Sequence, residues 1–137
     1  MRTEGILTPE TAAAAREWHE ALGPAAQTVV RETARAMSFD REEYGERVTG
    51  DVVATAREAL FASLLEVTVG TREEYETWRD DYDGEVVEVG SESVSNVVWH
   101  AAPFLDRAVA ATYESEPDAA VGTLRRQAYG RLYRELL

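Results

Sequence analysis

The stretch Asp51–Leu65, DVVATAREALFASLL, decides how the chain is read. At 100° per residue, Val52, Val53, Ala56, Leu60 and Leu64 form one broad apolar arc, and Ala54, Phe61 and Leu65 carry it further round. Only Thr55, Glu58 and the adjoining Glu66 mark a polar side. A helix apolar around most of its circumference is normally buried by neighbours on more than one side. The stretch is therefore expected to be the central helix, with the other elements packed about it. Thr49 or Asp51 supplies its N-cap.

Upstream, Thr8-Pro9-Glu10 predicts the start of a first helix, with Thr8 as cap and Pro9 at the first helical position, where no N–H is needed. That helix runs through Trp18 to Leu22. Gly23-Pro24 reads as a tight corner, with Gly23 suited to the left-handed helix end and Pro24 opening the next helix. The second helix, to about Met37, gathers Ala25, Ala26, Val29, Val30, Ala36 and Met37 on one side. Asp40 caps a short helical piece through Arg47.

Downstream, Leu65, Val67 and Val69 alternate with Glu66 and Thr68, a short strand pattern that competes with continuation of the helix. Thr71-Arg72-Glu73-Glu74 is a capping box and fixes a helix start. Its helix, to about Tyr82, has a narrow stripe of Tyr75, Trp78 and Tyr82. β-Branched and aromatic residues between turn signals then predict strands over Glu85–Val89, Val94–Ala102 and Arg107–Tyr113. Pro117 opens a last helix through Glu135, with a core stripe of Val121, Leu124, Ala128, Leu132 and Leu136. The expected fold is α+β in a single domain, residues 1–137. An N-terminal helical layer surrounds the central helix; a mostly antiparallel three- to four-stranded sheet follows, closed by the C-terminal helix. A winged helix is the structural rival, but the helix before the strands carries Glu73, Glu74, Glu76, Asp80 and Asp81, too acidic to face phosphates.

The composition is lopsided. There are 26 acidic against 14 basic residues, a net charge of −12. Every base is Arg, Lys is absent, and Ile occurs once, at Ile6. An acidic, Lys-free surface over a core of small aliphatics fits a salt-accumulating cell: at about 1 M salt the Debye length is about 3 Å, and like charges hardly feel each other. MRTEGILTPE holds no apolar run of signal-peptide length and nothing approaches a membrane span, so the expected place is the cytoplasm, with no membrane partner.

The missing residue types exclude chemistry. Without Lys there is no phosphate-loop lysine, Schiff base or lysine general base. Without Cys there is no thiol nucleophile and no Cys-ligated metal. Gly-x-Gly-x-x-Gly and Gly-x-Ser-x-Gly are absent, and His19 and His100 are the only histidines, so no metal or other cofactor is expected. Asp81-Tyr82-Asp83-Gly84 resembles a calcium loop only until Gly84 is set at the sharp turn. Arg79 and Gly90 then fall where carboxylates are required.

Four residues are candidates for a polar site. His100, beside Trp99 and shortly before Asp106, would be the general base if a carboxylate oriented it; otherwise it is a hydrogen-bonded histidine on the face of Val98 and Ala102. Arg57 projects between Leu64 and Phe61, and Arg125 between Leu132 and Leu136. Each must snorkel, pair with a carboxylate or bind an anion. The last helix also interleaves Arg125, Arg126, Arg131 and Arg134 with Tyr129 and Tyr133, a pairing seen in single-strand nucleic-acid binders. These arginines are scattered round the helix and the chain is strongly acidic, which argues against nucleic acid. The favoured function is a non-enzymatic protein-interaction module, self-associating or serving a protein partner. Its contact flank is Arg126, Tyr129 and Tyr133 with Gly122, unless both Tyr simply widen the core face.

AREALFASLLEVTVGTREEYETW at Ala56–Trp78, VVWHAAPF at Val97–Phe104, TLRRQAYGRLYREL at Thr123–Leu136 and RETARAM at Arg31–Met37 together resemble a family of small uncharacterised haloarchaeal proteins, a domain of unknown function. The resemblance implies a halophilic origin and carries no activity, cofactor or catalytic residue with it.

Overall fold

A computed structural model describes all 137 residues. In chain order the elements are β1 (Arg2–Glu4), α1 (Ala12–Ala21), α2 (Gly23–Ala36), α3 (Arg41–Arg47), α4 (Gly50–Leu64), β2 (Val67–Thr71), α5 (Arg72–Asp81), β3 (Glu85–Val89), β4 (Asn96–Ala102), β5 (Arg107–Tyr113) and α6 (Pro117–Ala128). A π-helical turn at Tyr129–Tyr133 and a 3₁₀ turn at Arg134–Leu136 continue α6.

Capping sets most of these boundaries. Thr49 caps α4, its hydroxyl accepting from the Val52 N–H at 3.3 Å. Asp40 caps α3 through the Glu43 N–H at 2.8 Å. The Thr71 box forms in both directions: the Glu74 N–H donates to the Thr71 hydroxyl at 3.1 Å, and the Thr71 N–H to the Glu74 carboxylate at 2.9 Å. The first helix starts later than Thr8-Pro9 predicts. Its cap is Thr11, which accepts from the Ala14 N–H at 2.9 Å. The delay has a cause in the core. Leu7 is buried and bridges Leu65 in parallel, and its N–H donates to the Leu64 carbonyl at 2.8 Å. The chain must first cross the end of α4.

The fold is α+β, with an open, mixed sheet in the order β1-β2-β4-β5-β3. Five strands form where three or four are expected, because β1 adds an edge beside β2. The β1·β2, β2·β4 and β4·β5 pairs are antiparallel, but β3 joins β5 in parallel. The sheet is covered on both faces. On one face Val67, Val69, Val98, Ala102, Val109 and Ala111 pack with Ala15 of α1, Phe61 of α4, and Val121, Leu124 and Ala128 of α6. On the other, Val97, Trp99 and Ala110 pack with Tyr75 of α5, and Trp78 and Val86 flank them. The C-terminal helix thus shares a side with α4, and α5 closes the far side.

The central helix departs most from expectation. Only Phe61 and Ala62 of α4 are buried, both in its last turn. Val52 is 42% exposed. The sheet reaches the C-terminal end of α4 alone, and α2 covers one flank of the rest, so the apolar excess of its first turns stays in solvent. Gly23 differs too. Its φ is not positive, and it begins α2. A Cβ there would meet the tip of the Arg57 side chain, which would have to shift, so the glycine serves close approach of Arg57 and not a left-handed turn.

Candidate functional site

Between α2, α3 and the first half of α4 lies an open apolar groove of about 460 Å³. Ala34, Ala56 and Ala59 are its small residues. Val29, Met37 and Val52 are its bulky ones, 46, 60 and 42% exposed, and Phe39 and Val48 bring in the segments flanking α3. Scattered exposed aliphatics are ordinary; here several gather along one groove, which makes it the candidate site. Of these, the sequence puts Val29 and Met37 on one side of the second helix, and Val52 and Ala56 on the apolar arc of a buried central helix. The missed signal is one of supply: α4 is apolar nearly all round, while α2 covers only one flank of its N-terminal half.

Arg47 is the one charged residue lining the groove. Its guanidinium lies 5.9 Å from the centre of the Phe39 ring. A neighbouring dent shares Ala34 and Phe39 and adds Arg31, Arg35 and Tyr44. Arg35 pairs with Glu32 at 3.3 Å. Arg31 bonds the Thr28 hydroxyl at 3.3 Å, and neither Arg31 nor Arg47 has a carboxylate partner.

The polar candidates do not converge. His100, on β4, is 2% exposed and bonded at both ring nitrogens. Nδ1 lies 2.6 Å from the Glu66 carbonyl, which can only accept, so Nδ1 carries the proton. Nε2 is then the acceptor, and the Tyr133 hydroxyl donates to it at 2.7 Å. Burial lowers the His100 pKa from its ordinary value; the Glu66 carbonyl opposes this and the Arg125 charge adds to it. Burial likewise raises the Tyr133 hydroxyl. The expected carboxylate orienter is elsewhere: Asp106 sits in a left-handed turn, its backbone against Gly84. Trp99 points to the opposite sheet face, between Tyr75 and Trp78. The His100–Tyr133 pair is a satisfied core network, with both ring nitrogens occupied.

Arg125 donates from Nε to the Leu65 carbonyl at 2.9 Å, a cation on the C-terminal end of α4, where the helix dipole favours it. Arg57 has no carboxylate within ion-pair distance and its Nε is buried without a partner, so the buried pair considered for it does not form. On the last helix Arg126 is exposed, but Tyr129 and Tyr133 are 4 and 0% exposed and pack edge-on against Phe61. Both rings thus lie on the core face, the alternative to the expected Tyr–Arg–Gly contact flank. The π turn at Tyr129–Tyr133 winds wider than an α-helix and brings Tyr129, Leu132 and Tyr133 together into the core.

A second, polar cleft lies between α5 and β3, lined by Arg72, Tyr75, Arg79 and Glu88 among others. These four side chains are each engaged. The Tyr75 hydroxyl donates to Glu88 at 2.5 Å, Arg79 pairs with Glu88 at 3.1 Å, and Arg72 holds the Ser91 and Val94 carbonyls at 2.9 and 3.2 Å. Nowhere do three His, Asp or Glu side chains converge as metal ligands would. No helix is long and apolar enough to cross a membrane.

Compared with known proteins, the sequence matches over residues 6–134 the model of a family described as "Family of unknown function (DUF5809)". No curated protein and no solved structure matches.

Proposed function

Starting from the fact that this chain belongs to the DUF5809 family of unknown function, we propose that it is a non-enzymatic protein-interaction module that docks through the groove between α2 and α4. One observation carries this reading: Val29, Met37 and Val52 stand exposed along a continuous apolar surface. Leaving such a surface wet forgoes roughly 25 cal/mol for each Å² a partner would cover. The acidic, Lys-free composition supports a home in the cytoplasm of a haloarchaeon, at salt concentrations where −12 is tolerated.

The arginines of the last helix give little support to nucleic-acid binding. Arg125 holds the Leu65 carbonyl, Arg126 the Thr123 hydroxyl and Arg131 the Gln127 amide, and Arg134 lies over the Tyr129 ring. Enzymatic use of His100 is disfavoured by its burial and two hydrogen bonds. The test is Val52→Glu combined with Met37→Glu, both exposed and so compatible with folding. At molar KCl the tagged wild-type chain should retain a specific partner, or itself, that the double variant loses. Equal retention by both proteins refutes the groove as the docking site.

A further inference from the structure

Building on the docking role proposed above, we infer that the groove's occupant is an acidic amphipathic helix of another protein. Its apolar stripe lies against Ala34, Ala56 and Ala59, and its carboxylates meet Arg31 and Arg47.

The dimensions suit a helix. From Val29 to Met37 the α2 wall spans about 12 Å, two helical turns, at 1.5 Å per residue. Two helical walls lined by Ala34, Ala56 and Ala59 admit side chains spaced i, i+3 or i+4, and i+7, the periodicity of helix-in-groove recognition. These small residues let the incoming backbone come close, while Val29, Met37 and Val52 grip its sides.

Charge selects the partner. The chain has 26 acidic residues, yet no carboxylate lines the groove. The one lining charge is Arg47, and the adjoining dent adds Arg31 and Arg35 beside Phe39 and Tyr44. Arg31 and Arg47 have no carboxylate of their own. A ligand bringing Glu or Asp to that end forms charge-assisted hydrogen bonds without displacing an existing ion pair. A second copy of this chain fits less well. A two-fold contact sets the same patch against itself, and this patch offers cations and no carboxylate.

The probe is a displayed library of helices of about 16 residues, near the shortest length at which a free helix holds together. The buried stripe is Leu, Ile, Val or Ala, and outward positions are randomised among Glu, Gln and Lys. The library is selected at about 0.5 M KCl on the full chain, on Val52→Glu and on Arg31→Glu with Arg47→Glu, each checked for folding by circular dichroism. The wild type should enrich binders at least about tenfold over Val52→Glu, a difference of about 1.4 kcal/mol. Glu should cluster at one end of the selected helices, and the charge-swapped variant should turn that preference to Lys. No enrichment over Val52→Glu, no charge preference, or a preference unchanged by the swap overturns the inference. A concentration-dependent dimer in light scattering that Val52→Glu dissolves also overturns it in favour of a second copy, yet leaves the groove a docking site. A native partner held equally by wild type and Val52→Glu would instead sink the docking role itself.

Discussion

The buried His100–Tyr133 pair ties stability to pH, with a sign that the geometry fixes. In the unfolded chain His100 titrates near 6.5, while in the fold burial holds its pKa lower. Protonating the folded ring would put a second N–H on Nε2, where the Tyr133 hydroxyl already donates, and would bury a charge. As pH falls below 6.5 the unfolded state therefore takes up a proton that the folded state refuses, and stability drops. The slope is about 1.4 kcal/mol per pH unit for as long as the folded ring stays neutral. It flattens once the lowered folded pKa is reached, and above 6.5 the contribution is complete. Urea denaturation at a fixed molar KCl concentration, repeated between pH 7.5 and 5, reads this directly. His100→Gln keeps a donor and an acceptor but cannot titrate, so its stability curve should be shallower by the slope of one proton. His19, whose pKa is also lowered, chiefly by burial, stays in both proteins and cancels from the difference. Parallel curves for wild type and His100→Gln would refute the reasoning, since they would mean that the folded ring accepts the proton without cost.

Three further outcomes are expected. Diluting KCl from molar to millimolar should lower the melting temperature, and divalent cations should restore it at lower concentration, because −12 charges lose their screening; an unchanged melting temperature contradicts this. Gly5→Ala should cost at least about 1–2 kcal/mol in chemical denaturation, since Gly5 has φ +98° and a Cβ would strike the Leu65 carbonyl. Gly23→Ala should gain more helix propensity, up to about 1 kcal/mol, in an Arg57→Ala background than in the wild type, where the guanidinium must shift; a double-mutant cycle with no coupling rejects that contact.

Local chemistry was legible in the sequence, and long-range pairing was not. The Thr49 and Asp40 caps, the Thr71 capping box and the bounds Glu85–Val89 and Arg107–Tyr113 follow from residues within a few positions of each other. β1 escaped because three residues, two of them charged, show no periodicity; it becomes a strand only because β2 is there to receive it. The parallel joining of β3 to β5 and the placing of α5 on the far face are likewise decided by partners distant in the chain. A helical period places Val121, Leu124, Ala128, Leu132 and Leu136 in one stripe, and the π turn breaks that period where Tyr129 and Tyr133 turn inward. The groove was illegible for a related reason. An apolar pattern marks a side chain that favours burial, but not whether the rest of the chain has enough apolar surface to bury it.

The seating of β1 against β2 also shapes how the molecule reaches its fold. Pairing Glu4 with Val67 closes a loop of about sixty residues holding the first four helices, an entropic cost of about 4 kcal/mol. The β4–β5 hairpin and its α6 cover close over far shorter distances, so the N-terminal strand is the natural last arrival. Until it docks, β2 presents Val67, Thr68 and Val69 as a raw β-branched edge, the kind of surface on which a strand from a neighbouring molecule can add. Refolding yield should therefore hang on three residues at one end of the sheet, whose part in the finished molecule is small and whose part in keeping molecules separate during folding is large.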